Sequence, residues 1–220
     1  LGLGKGNVTV TNGAELRIGG SPATAYVADP TWPGYDVEIL DGATVRLTSG
    51  SSVYTTNVIV RSGGNIKGNA TSGNFNSYDQ VRIEGRAYLH RNKDATIGSA
   101  YQRWYAVFRD GAFPGRLVYT GTGTGTTEIA AAQLYTGGTE VEDGGVDAFP
   151  LRLTGSGRLP DVGDVLIHAG AVVNFNSIND GVGGLGGAGS VILGNAAVTN
   201  YQGMSPGTND LNPGTLTIST

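Results

Sequence analysis

Cysteine is absent from this chain of 220 residues, so neither disulfide cross-links nor thiolate chemistry is open to it. With no cysteine and only two histidines, a transition-metal centre is not expected. Charge is also sparse, at 15 % of residues, and the balance is mildly acidic at −4. The 14 Lys and Arg are scattered, mostly as single residues inside strand-like runs, which argues against nucleic-acid binding. No apolar run approaches the ~18–20 residues of a membrane-spanning helix. Helical periodicity is nearly missing. Its best stretch, residues 128–134 (Glu-Ile-Ala-Ala-Ala-Gln-Leu), is too short for an autonomous helix and reads as one helical turn in a loop or as a strand.

Glycine is what the chain has in excess: 38 of 220 residues, against a usual level of about 7 %. With 8 Pro it stays below the roughly 25–30 % Gly-plus-Pro that marks disorder, and 39 % apolar residues suffice for a lean core. The glycines punctuate a recurring phrase: apolar-x-apolar, a polar residue with Gly-Ala or Gly-Gly, then apolar-x-apolar. It reads Val8-Thr9-Val10-Thr11-Asn12-Gly13-Ala14-Glu15-Leu16-Arg17-Ile18, and again Val37-Glu38-Ile39-Leu40-Asp41-Gly42-Ala43-Thr44-Val45-Arg46-Leu47. Looser copies occupy residues 58–66, 81–89, 107–118, 165–175 and 191–198. Each copy is two short strands joined by a turn. A unit this small cannot bury its own apolar face and has to stack on its neighbours, which predicts an all-β solenoid.

Turn glycines are expected at Gly13, Gly42, Gly63, Gly85, Gly111, Gly144, Gly170 and Gly194, spaced 21 to 33 residues apart. Asn-Gly and Asp-Gly favour φ > 0, which only glycine reaches cheaply. Insertions are expected in the turns at 20–34, 71–78 and 121–125. One solenoid domain over residues 1–220 follows, of roughly nine or ten coils and about 45 Å in length at ~4.8 Å per coil. The alternative is an antiparallel β-sandwich with Asn-Gly and Asp-Gly hairpins. Strands so short, repeating in phase, favour the solenoid.

Residues 75–119 hold Phe75, Tyr78, Tyr88, Tyr101, Trp104, Tyr105, Phe108, Phe113 and Tyr119, with six arginines from Arg82 to Arg116. A wider coil with aromatics stacked inside accounts for this. The functional reading is a lateral glycan-binding groove built from Tyr101, Trp104, Tyr105, Arg109 and Arg116, with aromatic faces on sugar rings and Arg on acidic groups. Polysaccharide lyases and glycosidases also need converging carboxylates. The candidates are Asp79, Glu84, Asp94 and Asp110, beside Arg82, Arg86, Arg109 and Arg116. Arg109-Asp110-Gly111 reads more simply as a charged strand end entering a turn, so no enzyme is expected.

Other chemical motifs fail on context. Gly181-x-Gly183-x-x-Gly186 and Gly184-x-Gly186-x-x-Gly189 match the dinucleotide fingerprint, yet Ser190-Val191-Ile192-Leu193 continues as a strand where a helix is required. Gly203-Met204-Ser205-Pro206-Gly207 matches a nucleophile elbow, but both histidines, His90 and His168, precede the serine. Asp161 with Asp164, and Glu142 with Asp143, flank turns without forming a calcium loop. No cofactor is expected.

Three segments of the second half carry a family resemblance. Tyr135-Thr136-Gly137-Gly138-Thr139-Glu140-Val141 comes first. The run from Asp180 through Gly183-Gly184-Leu185-Gly186-Gly187-Ala188-Gly189-Ser190-Val191-Ile192-Leu193-Gly194 follows, then Ser205-Pro206-Gly207 with Pro213-Gly214-Thr215-Leu216-Thr217-Ile218. In this order they resemble the autotransporter-associated β-strand repeat, or passenger-associated repeat. The resemblance covers residues 135–218; residues 1–134 read as irregular coils sharing only the looser phrase. It implies a single-stranded right-handed parallel β-helix in a secreted or cell-surface bacterial protein, acting as a structural or adhesive segment. No C-terminal membrane barrel is recognisable, and the chain starts at Leu1 with no leader pattern, so a segment of a longer chain is expected. The partners this reading admits are further copies of the chain stacked end to end into a fibre, and surface glycans. The alternative function is a carbohydrate-binding or polysaccharide-degrading β-helix using the aromatic and Arg-rich middle.

Overall fold

A strand of three or four residues with apolar side chains at alternate positions buries one face only. The Gly corner that follows turns the chain so that the next strand can bury its apolar residues on the same side. Stacked coil on coil, these faces enclose a continuous core. The computed structural model describes residues 7–18, 24–26, 36–47, 52–54, 57–68, 81–91, 101–120, 126–142, 151–200, 204–206 and 217–219. These residues are all-β, and every strand pairing among them is parallel. The protein is a parallel β-helix. The sandwich alternative required antiparallel hairpins across the Gly corners, and the corners instead connect two strands of one coil.

The larger sheet has twelve strands. Its path runs from Val8–Val10 through Asp36–Ile39, Asn57–Val60, Val81–Arg91, Phe108–Thr120, Thr139–Val141, Asp164–Ile167 and Gly184–Gly187 to Met204–Pro206. A second column, Glu15–Ile18, Thr44–Leu47 and Asn65–Gly68, joins the later half of Val81–Arg91. The second sheet has six strands, from Tyr101–Trp104 through Thr126–Ile129, Leu151–Leu153, Val172–Asn174 and Ser190–Ile192 to Thr217–Ser219. The advance per coil varies, from 18 residues (Asp180 to Val198) to 30 (Tyr88 to Val118). Constant register with variable coil length means that insertions sit in the connections. Of the insertions expected at 20–34, 71–78 and 121–125, only the strand Thr24–Tyr26 lies within the described residues. Residues 128–134 form no helix: Thr126–Ile129 is a strand, and Ala132 and Leu134 make isolated parallel bridges to neighbouring coils.

Register builds the core as ladders of like residues. Val10, Ile39, Val60 and Ile83 form one ladder, and Val45, Ile66, Leu89, Tyr119, Val141 and Ile167 another. Trp104, Ile129 and Leu153 form a third, on the six-stranded sheet. All are buried, most at 0–2 % exposure. At roughly 1.5–3 kcal/mol for each fully buried large apolar side chain, these ladders are the main source of stability.

The corner glycines Gly13, Gly42, Gly63, Gly85, Gly170 and Gly194 adopt positive φ, as their turns require. Gly111 does not. The pairing of Val81–Arg91 with Phe108–Thr120 shifts register between Asp110 and Gly115, and the corner widens into a bulge. The Asp110 carboxylate caps that bulge by accepting the Gly115 N–H at 2.7 Å, so no left-handed residue is needed there. Gly144 lies outside the described residues. Gly138, Gly155, Gly163 and Gly187 also have positive φ and were not among the expected corners.

Candidate functional site

The aromatic and Arg-rich middle divides between inside and outside. Trp104 is fully buried and packs edge-on against Phe108, with ring centroids 6.5 Å apart and planes at 64°. Tyr119 and Tyr135 are buried as well, and the Tyr135 hydroxyl lies 2.7 Å from Thr139 Oγ1. Burial holds the Tyr135 phenol up at about 12, so it stays neutral. Tyr105 follows Trp104 and, at 44 % exposure, faces out. Phe113, 68 % exposed, sits at the tip of the bulge. Tyr101 begins the strand Tyr101–Trp104, and its side chain is outside the described residues, as are Phe75 and Tyr78. Arg109 is exposed, in register with Arg82. Arg116 is half-buried and turns to Glu140, 3.9 Å away. Of the five residues expected to form a groove, Trp104 belongs to the core, Tyr105 is exposed on the opposite side of the strand, and Arg116 joins an ion cluster.

The carboxylates of this region are occupied in holding backbone. Glu84 accepts from the Ala112 N–H at 2.8 Å and from the Arg61 guanidinium. Burial pushes its carboxyl up, but these two donors outweigh it and leave it below the ordinary carboxylate range. Asp110 takes the Thr136 N–H at 3.0 Å and the Thr136 hydroxyl at 2.7 Å, besides Gly115. Neither is presented as a free acid–base group. Asp79 and Asp94 lie outside the described residues.

Three charge ladders run across the coils instead. Arg61 lies between Glu38 and Glu84. Glu128, whose side chain is 0 % exposed, lies between Arg103 (2.7 Å) and Arg152. Glu140, 4 % exposed, receives Arg86 at 3.0 Å and His168 Nε2 at 2.8 Å, with Arg116 behind them. Glu142, weighed as a calcium ligand, pairs with Arg86 at 3.3 Å. Each ladder ties successive coils and penalises slippage of the register, because sliding one coil would bury an unpaired charge. A further polar group is buried at a corner: Gln133 accepts the Phe108 N–H at 2.9 Å and donates to the carbonyls of Ala131 (2.7 Å) and Ala106 (3.2 Å), completing the backbone bonds where the strand pattern lapses.

The remaining motifs resolve into packing. Gly184–Gly187 is a buried strand between Asp164–Ile167 and Met204–Pro206, and no helix follows it. A Cβ at Gly183 would stand 2.6 Å from the Gly163 carbonyl oxygen, so the run of glycines permits close approach of coils. Ser205 lies in the middle of the strand Met204–Pro206, which is extended and not an elbow. Asp180 is buried and accepts the Leu159 N–H at 2.8 Å, and burial lifts its carboxyl to about 6. Among the described residues no group of three His, Asp or Glu converges as a metal site. No described helix is long and apolar enough to cross a membrane.

No family model matches the chain, and neither the curated proteins nor the solved structures provide a significant match.

Proposed function

We propose that the chain is a structural or adhesive segment of a secreted bacterial surface protein, related to the passenger-associated repeats, and that it acts through length and rigidity. The observation that carries this reading is the unbroken parallel ladder from Val8–Val10 to Met204–Pro206, with polar groups spent on corners and inter-coil ties. The aromatic middle supports it. Trp104, Phe108 and Tyr119 act as core, and Glu84 and Asp110 act as backbone acceptors. End-to-end association of further copies into a fibre is part of the proposal.

Electron microscopy and sedimentation at rising concentration test it. Slender particles that lengthen without thickening fit the proposal. A compact particle, or depolymerisation of a polysaccharide that Asp110→Asn abolishes, would replace it with the enzymatic reading.

A further inference from the structure

Along the chain Arg17, Arg46, Lys67 and His90 are isolated residues, 21 to 29 positions apart. Register gathers them into one column: Arg17 pairs with Arg46, Arg46 with Lys67, and Lys67 with His90. At ~4.8 Å per coil the column runs about 14 Å along the solenoid. Each alternates with a core residue (Leu16, Val45, Ile66, Leu89), so all four stand on the outer face. Like charges placed directly opposite one another destabilise a sheet, so folding gains nothing from this arrangement. One carboxylate, Glu15, serves both Arg17 and Arg46. Among the described residues Lys67 has no acidic partner. Three permanent cations thus face a single carboxylate, on a chain of net charge −4.

The column ends against rings. Asn65 donates through Nδ2 to the carbonyls of Gly63 (3.0 Å) and Ala43 (3.1 Å), so its Oδ1 is the acceptor that meets His90 Nε2 at 2.6 Å. His90 therefore carries its proton on Nε2, and Nδ1 remains an acceptor. Burial and the neighbouring Lys67 push the imidazole down to about 4, so it is neutral near pH 7. Tyr88 stacks on His90, with centroids 6.1 Å apart and planes at 30°, and the Arg86 guanidinium lies 5.8 Å from the Tyr88 centroid. A row of cations one coil apart thus leads to a half-buried aromatic platform bearing a neutral acceptor.

We propose that this column is a binding strip for a linear acidic polysaccharide of the uronate class, lying along the solenoid axis. Carboxylates of the glycan meet Arg17, Arg46 and Lys67, and a sugar hydroxyl donates to Nδ1 of His90. The coil repeat is close to the length of one sugar residue in an extended chain, so successive uronates meet successive cations. The neutral acceptor at the end of the column suits the hydroxyls of a sugar. A nucleic acid would call for a denser basic surface, without a carboxylate in the strip. The proposal stands apart from the surface-protein reading, because it rests only on residues of the first four coils, and its failure leaves that reading untouched.

The test is binding of the whole chain to immobilised polygalacturonate, with dextran as the neutral glycan and a single-stranded oligothymidylate as the competing polyanion. Binding to polygalacturonate should weaken steadily between about 50 and 200 mM salt. It should fall by about tenfold or more in the Arg17→Gln, Lys67→Gln double variant. Arg158→Gln, outside the first four coils, should bind as the unsubstituted chain does. Circular dichroism confirms that the variants are folded, and the salt series on the unsubstituted chain gives a readout that needs no variant. Equal binding to dextran, salt-independent binding, undiminished binding by the double variant, preference for the oligonucleotide, or no binding at all would each overturn the proposal.

Discussion

Asp41 and Gly63 occupy the same corner in successive coils, and the Asp41 carboxylate fills the space where a Cβ of Gly63 would stand. Gly63 also has φ = +81°, so two separate constraints demand glycine there. Gly13, at φ = +74°, has nothing within 4 Å of its Cβ position and feels only the backbone constraint. Gly13→Ala should therefore cost about 1 kcal/mol through backbone strain alone. Gly63→Ala should cost clearly more, and Asp41→Ala should recover part of the difference. Denaturation midpoints of the three variants and the double variant measure this. Equal losses at the two glycines would refute the stacking of corners.

Glu128 is buried between two partly exposed arginines, and leaving either without its partner is costly. Glu128→Gln should destabilise by roughly 1–3 kcal/mol, reduced from the fully buried case by the solvent that reaches Arg103 and Arg152. Glu142→Gln, at an exposed pair, should change stability by less than about 1 kcal/mol. Urea denaturation of both variants compares them directly.

Trp104 and Tyr105 are adjacent in sequence and lie on opposite sides of the coil wall. Trp104→Ala should cost about 3–5 kcal/mol as a core deletion. Tyr105→Ala should stay within about 0.5 kcal/mol. Similar thermal melts for the two would place Trp104 on the surface and restore the lateral groove.

His90 and Asp180 give opposing pH dependence. The His90 imidazole is held down, from 6.5 to about 4, by burial and then by Lys67. Its contribution is complete above pH 6.5 and is lost as pH falls toward 4. The Asp180 carboxyl is held up, from 3.8 to about 6, by burial against the N–H groups of Leu159 and Gly181 and the charge of Arg158. Its contribution is complete below pH 3.8 and is lost as pH rises through 6. The two nearly cancel between pH 5 and 7 in the unsubstituted chain. His90→Gln should become more stable on going from pH 7 to pH 5, and Asp180→Asn less stable. Glu15 and Glu84, held below their ordinary 4.5, act only at lower pH. Melting temperatures across that range, with both slopes unchanged from the parent, would remove these two groups from the pH account.

The fold was legible because it is written locally. Val8, Val10, Leu16 and Ile18 alternate about Gly13, and the same phase returns about Gly42, so the two-strand coil and its corners follow from neighbouring residues. What was not legible depends on register between coils of unequal length. Arg103, Glu128 and Arg152 are 25 and 24 residues apart, a spacing that means nothing until the coil length at that place is known. Arg17, Arg46 and Lys67 looked scattered for the same reason, and the basic column went unseen. That Trp104 is core while Tyr105 is exposed was not legible either, because local composition does not say which side of the wall a residue faces. Gly111 was read as a left-handed corner because the Asp-Gly pair signals one. The bulge to Gly115, set by Asp110 and Thr136, could not be inferred from that dipeptide.

Gly corners join two strands of one parallel coil, and pairing occurs between coils. The absence of cysteine makes disulfide trapping a clean measurement of it. Thr9 is in register with Glu38, one coil away, and both lie on the outer face. Thr9→Cys with Glu38→Cys should form an intramolecular disulfide on mild oxidation of the folded chain, while Thr9→Cys with Leu16→Cys should not, because Leu16 faces the core side. An antiparallel hairpin about Asn12-Gly13 would bring residue 9 opposite residue 16. Trapping of the second pair and not the first would contradict the parallel β-helix.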